Sequence, residues 1–297
     1  MQLPREISGS VVKDLYRIGA RGPDPLGIIR FWCLPVWKRE HRKSSVMHNE
    51  KSGAFFRRLA EEAKAAEKDR DLFFSWCAGL ITHYCLDSIS HPYIICRTGL
   101  GKAYAGNHRS LEHALDREAL EKNGLCLKDR PITRVILPCS GLPKEIREAV
   151  SRIFSDVFGW KDMWKKINTA LRDERRFLRL CEDPNGFLLK LMTRLSAGMS
   201  LRSISYAEAA YTGADTANTR KDTWFNPYDP AVTSSLSMAE MEETALEQAV
   251  AMIEGLYGYI YLDREYPGNI GSRSYESGFD TDDPRNRNIP VFSVLQR

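Results

Sequence analysis

The chain has 297 residues, with 43 Lys and Arg against 39 Asp and Glu, for a net charge of +4. A balance this even gives no ground for a nucleic-acid partner or a charge-driven membrane binder. Hydrophobic residues make up 43% and charged residues 28%, as in ordinary globular proteins, and apolar runs such as Ala78 to Ile81 are too short to span a bilayer.

Residues 5–19 read as a helix with Ile7, Val11, Val12, Leu15, Tyr16 and Ile18 toward one side. Gly19 to Pro25 ends it. Two glycines and two prolines force a turn there, with Asp24 extended between the prolines. Residues 26–37 are rich in aromatics, and Lys38 to Lys43 reads as a basic solvated loop. Ser44 to Lys68 reads as one long helix with Phe55, Phe56, Leu59 and Ala60 on one face. Asp71 to about Ser90 is apolar around most of its circumference, which predicts a central buried helix. It should end near His91, because Pro92 disfavours helical geometry in the residue before it.

Residues 107–122 form another helix. Gly124 to Leu142 reads as a loop-rich connector, with Thr133 to Leu137 as a short extended piece. Helical periodicity returns at 143–158, 159–181, 185–199, 206–211 and 239–261, and Gly213 to Asp229 reads as a loop. From Tyr266 onward Gly, Ser, Asp, Asn and Arg dominate. No segment alternates with a convincing period of two, so the expected class is all-α. Residues 1–262 form one helical domain in this reading. Residues 263–297 form an irregular tail that either wraps the surface or is disordered. The seven cysteines include no Cys-x-x-Cys pair and are expected to be buried thiols, without disulfides.

Chemistry concentrates in a few residues. His83 and Asp87 are four apart on the apolar helix, and His108 and Glu112 repeat that spacing, with Asp116 one turn further on. Four residues is about one helical turn, so each imidazole shares a face with its carboxylate. A carboxylate on a buried helix costs several kcal/mol unless it is paired or holds a cation. Imidazole plus carboxylate is a ligand set for a divalent metal such as zinc. His91 can turn toward such a face from the helix end. Asp24 and His48 are not assigned by spacing, since a turn former and a side chain near a helix start explain them equally well.

Gly22-Pro-Asp24, Met47-His48, His83-Tyr-x-x-Asp87-Ser-x-x-His91-Pro-Tyr and His108-x-x-x-Glu112 with Asp116 occur in that order. The ordered set resembles the bacterial zinc-dependent phospholipase C family, whose fold is shared with fungal and plant single-strand nucleases. The motif-bearing part runs from about Gly19 to Asp116, with weaker similarity to about Tyr261. Trp224-x-Asn-Pro227 resembles smaller members from firmicutes. The resemblance implies a multi-helix bundle with a metal cluster between helices. It implies that Asp24, His48, His83 and Asp87 hold one zinc, and that His91, His108 and Glu112 hold a second, with Asp87 in a position to bridge. Asp24 is then the carboxylate beside the attacking water. Two zinc ions are expected. A third depends on N-terminal ligands, and no histidine precedes His41.

The implied activity is hydrolysis of a phosphoric ester by metal-activated water. The implied substrate is a phospholipid or another phosphodiester, met in transient contact with a membrane surface. A nuclease or nucleotidase on the same metals is the first alternative, and a non-catalytic zinc-binding helical protein the second. Met1-Gln-Leu-Pro lacks the basic-then-apolar pattern of a secretory signal, so a cytoplasmic location is expected.

Overall fold

Helices dominate the computed structural model, which describes residues 4–125, 141–195, 199–207 and 211–295. The chain divides into two units. One takes Met1–Ile89, Pro138–Glu174 and Glu242–Asp283; the other takes Ser90–Leu137, Arg175–Met241 and Pro284–Arg297.

The first unit begins with α1 (Arg5–Gly9) and α2 (Lys13–Gly19), where a single helix was expected. The break has a partner: the Val12 amide donates to Ser75 Oγ at 2.7 Å instead of continuing a helical ladder. Helix α2 then lies directly against α6 (Arg70–Thr98). A methyl group on either Gly19 or Gly79 would overlap the other helix's backbone, so the two glycines set how closely these helices approach.

Asp24 is the first residue of α3 (Asp24–Ile28), not an extended linker, because Pro25 is tolerated in a first helical turn. The basic stretch expected as a loop is helical, inside α4 (Leu34–Asn49). Glu40, 2% exposed, explains why: Arg39, Lys43 and Lys166 all lie within about 3 Å of its carboxylate. The expected 44–68 helix divides at Lys51, whose φ of 57° reorients the chain into α5 (Ser52–Ala65).

Helix α6 runs seven residues past His91, straight through Pro92. An interior proline costs about 3 kcal/mol through its lost amide hydrogen bond. Tyr93, Ile94, Ile95 and Cys96 beyond it are at most 4% exposed. Burial at about 1.5–3 kcal/mol per large apolar side chain outweighs that cost. The core of this unit joins Phe55, Phe56 and Leu59 of α5 to Phe74 and Ile81 of α6. It continues through Ile146, Ile153 and Phe154 of α8 (Lys144–Phe158) to Met252 and Leu256 of α12 (Met238–Tyr261).

The second unit holds α7 (Asn107–Lys122), which has the expected bounds. It also takes the C-terminal end of α9 (Met163–Glu182), α10 (Phe187–Arg194) and the short α11 (Met199–Arg202). The helix expected at 206–211 is absent at its described residues, 206, 207 and 211, which form turns. The expected extended piece at 133–137 lies outside the described residues. The loop reading of 213–229 missed a hairpin, β1 (Trp224–Asn226) paired antiparallel with β2 (Asp229–Ser234). Its tight reversal uses Asn226, whose Oδ1 accepts from the Tyr228 amide at 3.0 Å. Three residues are too few to display a period. The class is nonetheless helical, with this two-stranded sheet as a minor addition. Residues 263–283 are irregular yet contribute Ile270 and Tyr275 to the first unit's core. The described cysteines, 33, 77, 85, 96 and 181, are free thiols, and all but Cys33 are buried.

Candidate metal centre

In the first unit, three helices bring four of the expected ligands together. Asp24 comes from the start of α3, His48 from the end of α4, and His83 and Asp87 from successive turns of α6. Asp24 Oδ1 lies 3.1 Å from His48 Nε2 and 3.9 Å from His83 Nε2. Asp87 Oδ2 lies 3.0 Å from His83 Nε2 and 3.8 Å from His48 Nε2. One donor atom from each of Asp24, His48 and His83 fits within 4.8 Å of the other two.

Two details orient these donors. His48 Nδ1 is 2.8 Å from the Ser44 carbonyl. A carbonyl can only accept, so Nδ1 carries a proton and donates, which leaves Nε2 to face the carboxylates with a second proton or, in its place, a metal. His83 Nε2 is buried and has no aligned hydrogen-bond partner, despite its closeness to Asp87. A buried nitrogen beside two carboxylate oxygens, not aligned with either, suits a shared cation. Tyr275 packs against both imidazoles. Its ring centroid is 5.1 Å from that of His48 and 5.8 Å from that of His83, and its amide donates to the His48 carbonyl at 2.9 Å. Gly22, at φ 54°, leaves room for the His83 ring, which a Cβ there would overlap.

The electrostatics also favour positive charge. Burial pushes the Asp24 carboxyl up, but the charges of His83 and His48, the His48 hydrogen bond and Arg21 outweigh it. They hold Asp24 well below the usual carboxylate range. Burial pushes His48 down, and its hydrogen bond and charge interaction with Asp24, helped by Asp87, reverse this to about 9. Without a metal, the proton on His48 balances the surrounding carboxylates. Arg21 is fixed by Glu174 of α9: its Nε and Nη2 donate to Oε1 at 3.0 and 2.6 Å. Glu174 is 0% exposed, its Oε2 has no partner, and burial raises its pKa.

In the second unit, His91 of α6 meets His108 and Glu112 of α7. Their donor atoms again fit within 4.8 Å of one another. His108 Nε2 is 3.0 Å from Glu112 Oε1, and the His91 and His108 rings are 5.3 Å apart between centroids. Asp116, one turn on, accepts a hydrogen bond from Tyr206 at 3.0 Å, while His113 stacks on the Tyr206 ring at 3.6 Å. Burial is the main cause lowering the His113 pKa to about 4, so this imidazole packs as a neutral ring.

Both donor sets fit a divalent cation: each offers imidazole nitrogens with one or two carboxylates, and the first adds the buried His83 Nε2 with no aligned partner. Tyr275 and Glu174 carried no readable signal. One lies in a segment without periodicity, and the other sits in Arg-Asp-Glu-Arg-Arg, which reads as a solvated face.

No curated protein and no solved structure gives a match to the chain. A family model described as "Zinc dependent phospholipase C" matches residues 3–172, more than half of the sequence and the stretch in which the seven expected ligands lie. The chain therefore belongs to the zinc dependent phospholipase C family.

Proposed function

We propose that this protein hydrolyses a phosphodiester, with a phospholipid as substrate, using zinc held by Asp24, His48, His83 and Asp87 and by His91, His108 and Glu112. The observation that supports catalysis over a structural metal is accessibility. Asp24 is 42% exposed in its side chain beside imidazoles at 10–11%. Glu112 is 44% exposed beside His108 at 35%. Closed structural sites surround their metal with protein; these groups keep a side for water and substrate.

Zinc in such a set supplies positive charge that acidifies water and neutralises phosphate oxygens. The remaining work falls to this chain's own residues. Asp24 stays ionised under its cationic neighbours. A carboxylate held that low is a poor store for a proton, so it orients the attacking water and passes the proton on to solvent. The water oxygen forms the new bond to phosphorus, and the ester bond on the glycerol side breaks. The leaving oxygen takes a proton back from solvent. Arg21, fixed by Glu174, offers its guanidinium to a phosphate oxygen.

The test pairs zinc content per chain with hydrolysis of a soluble chromogenic phosphodiester, before and after chelation. Expected are bound zinc and an activity that chelation removes and zinc restores. A protein that neither holds nor takes up zinc, or that stays active without it, overturns the proposal.

A further inference from the structure

Helix α10 presents an apolar stripe outward. Phe187 and Leu191 of α10 and Leu195, the residue just after it, recur every four residues and are 73%, 44% and 71% exposed. Leu188, Leu189 and Met192 take the opposite, partly buried side. Leu201 of α11, a helix that contacts α10, is 53% exposed. No residue of α10 is fully buried, so its outward apolar positions do not serve the core. Contiguous exposed apolar surface of this kind marks a contact site.

Charge indicates what it contacts. Lys190 and Arg194 are exposed and border the stripe on one side. Neither meets a carboxylate among the described residues. Residues 175–202 hold six Lys or Arg and two acids, whereas the whole chain is nearly balanced. One of those acids, Asp183, is turned to internal use: it accepts from the Leu188 and Leu189 amides at 3.0 Å and from Ser205 Oγ at 2.7 Å. An apolar stripe bordered by cations is the pattern of a helix lying in a lipid interface, with its aromatic and leucine side chains among the acyl chains and its cations at anionic head groups.

We propose that the outer face of α10, extended by Leu201, docks on an anionic phospholipid surface. The choice of partner rests on the phospholipid reading above; the stripe and its charge border do not. A lipid surface has the flat apolar interior that three leucines and a phenylalanine need, and its anionic head groups answer Lys190 and Arg194. A protein partner or a second copy of the chain is an outcome the test detects.

The full-length, zinc-loaded protein is sedimented with phosphatidylcholine vesicles, with and without phosphatidylglycerol. Expected is binding that strengthens with phosphatidylglycerol and weakens with salt. Phe187→Ser with Leu191→Ser should weaken it by about tenfold or more. Lys190→Glu with Arg194→Glu should abolish the preference for phosphatidylglycerol. These positions are exposed, so circular dichroism and hydrolysis of a soluble phosphodiester should match the parent protein. Equal binding to both vesicle types, or undiminished binding by the serine variant, overturns the docking surface. So does a dimer in sedimentation velocity that the serine variant dissolves. A protein that binds vesicles but hydrolyses nothing fails the functional reading and keeps this one; a protein that hydrolyses the soluble ester without binding vesicles does the reverse.

Discussion

The two candidate ligand groups use the same residue types in different ways. In the first unit, the donors come from three helices that are far apart in sequence, and the imidazoles are 10–11% exposed. In the second, two of three donors sit one turn apart on α7, and His108 and Glu112 are 35% and 44% exposed. Each group takes two donors from a single helical turn, His83 and Asp87 on α6 or His108 and Glu112 on α7. The first needs two further helices to add Asp24 and His48, and its imidazoles end up buried; the second needs only His91 and stays more open to water. The difference predicts a tightly held metal in the first group and a more exchangeable one in the second.

The sharpest way to break this contrast is Asp87→Asn. A neutral amide cannot balance the cation beside His83 and His48, so zinc and rate should fall together, by about 10³-fold in kcat/KM. Zinc analysis of the purified variant checks it; unchanged zinc content would remove Asp87 from the ligand set.

Gly22→Ala should come next. It forces a side chain into the left-handed region at a cost of about 1–2 kcal/mol and displaces the His83 ring. Denaturant unfolding should show lower stability, and zinc should be lost from the first group alone.

Glu112→Gln tests the other side. About one equivalent of zinc should leave, and a chelator titration of the parent protein should release metal in two steps, the first step absent from the variant. A single step in the parent protein would mean that the groups do not differ.

Smaller effects follow from protons and from Arg21. In the metal-free protein, His48 titrates near 9 against an ordinary 6.5. The folded form thus binds the proton more strongly than the unfolded one. That stabilisation is complete below 6.5 and disappears as pH rises through about 9. Zinc competes with this proton, so its apparent affinity should rise by about tenfold per pH unit between those values and then level off. Competition titrations at several pH values read the slope. Glu174→Gln should lower the stability of the zinc-loaded protein by about 1.5–3 kcal/mol, the worth of hydrogen bonds to a charged group. It should also raise KM more than it lowers kcat, by loosening Arg21.

The contrast also explains what was legible in the sequence. Helix α7 reads directly because its periodicity and its spaced donors agree. His83 and Asp87 read as a pair because one helical turn joins them. Asp24 and His48 do not, since only α3 and α4 packing near α6 gives them a common neighbour; motif order alone singled them out. Pro92 misled the reading of α6 because a local rule met a buried tetrad beyond it. Lys38 to Lys43 misled the reading of α4 because its cations converge on one buried glutamate, contributed in part from Lys166 far along the chain.

Tyr275 gives the first group a late step in biosynthesis. Asp24, His48, His83 and Asp87 have all left the ribosome long before the tyrosine that packs against two of their rings. A nascent chain stopped near residue 270 would carry every donor of that group while one side of His48 and His83 still faced water. Metal acquired at that stage would exchange freely, and arrival of the Tyr275 amide at the His48 carbonyl would mark when the site becomes retentive.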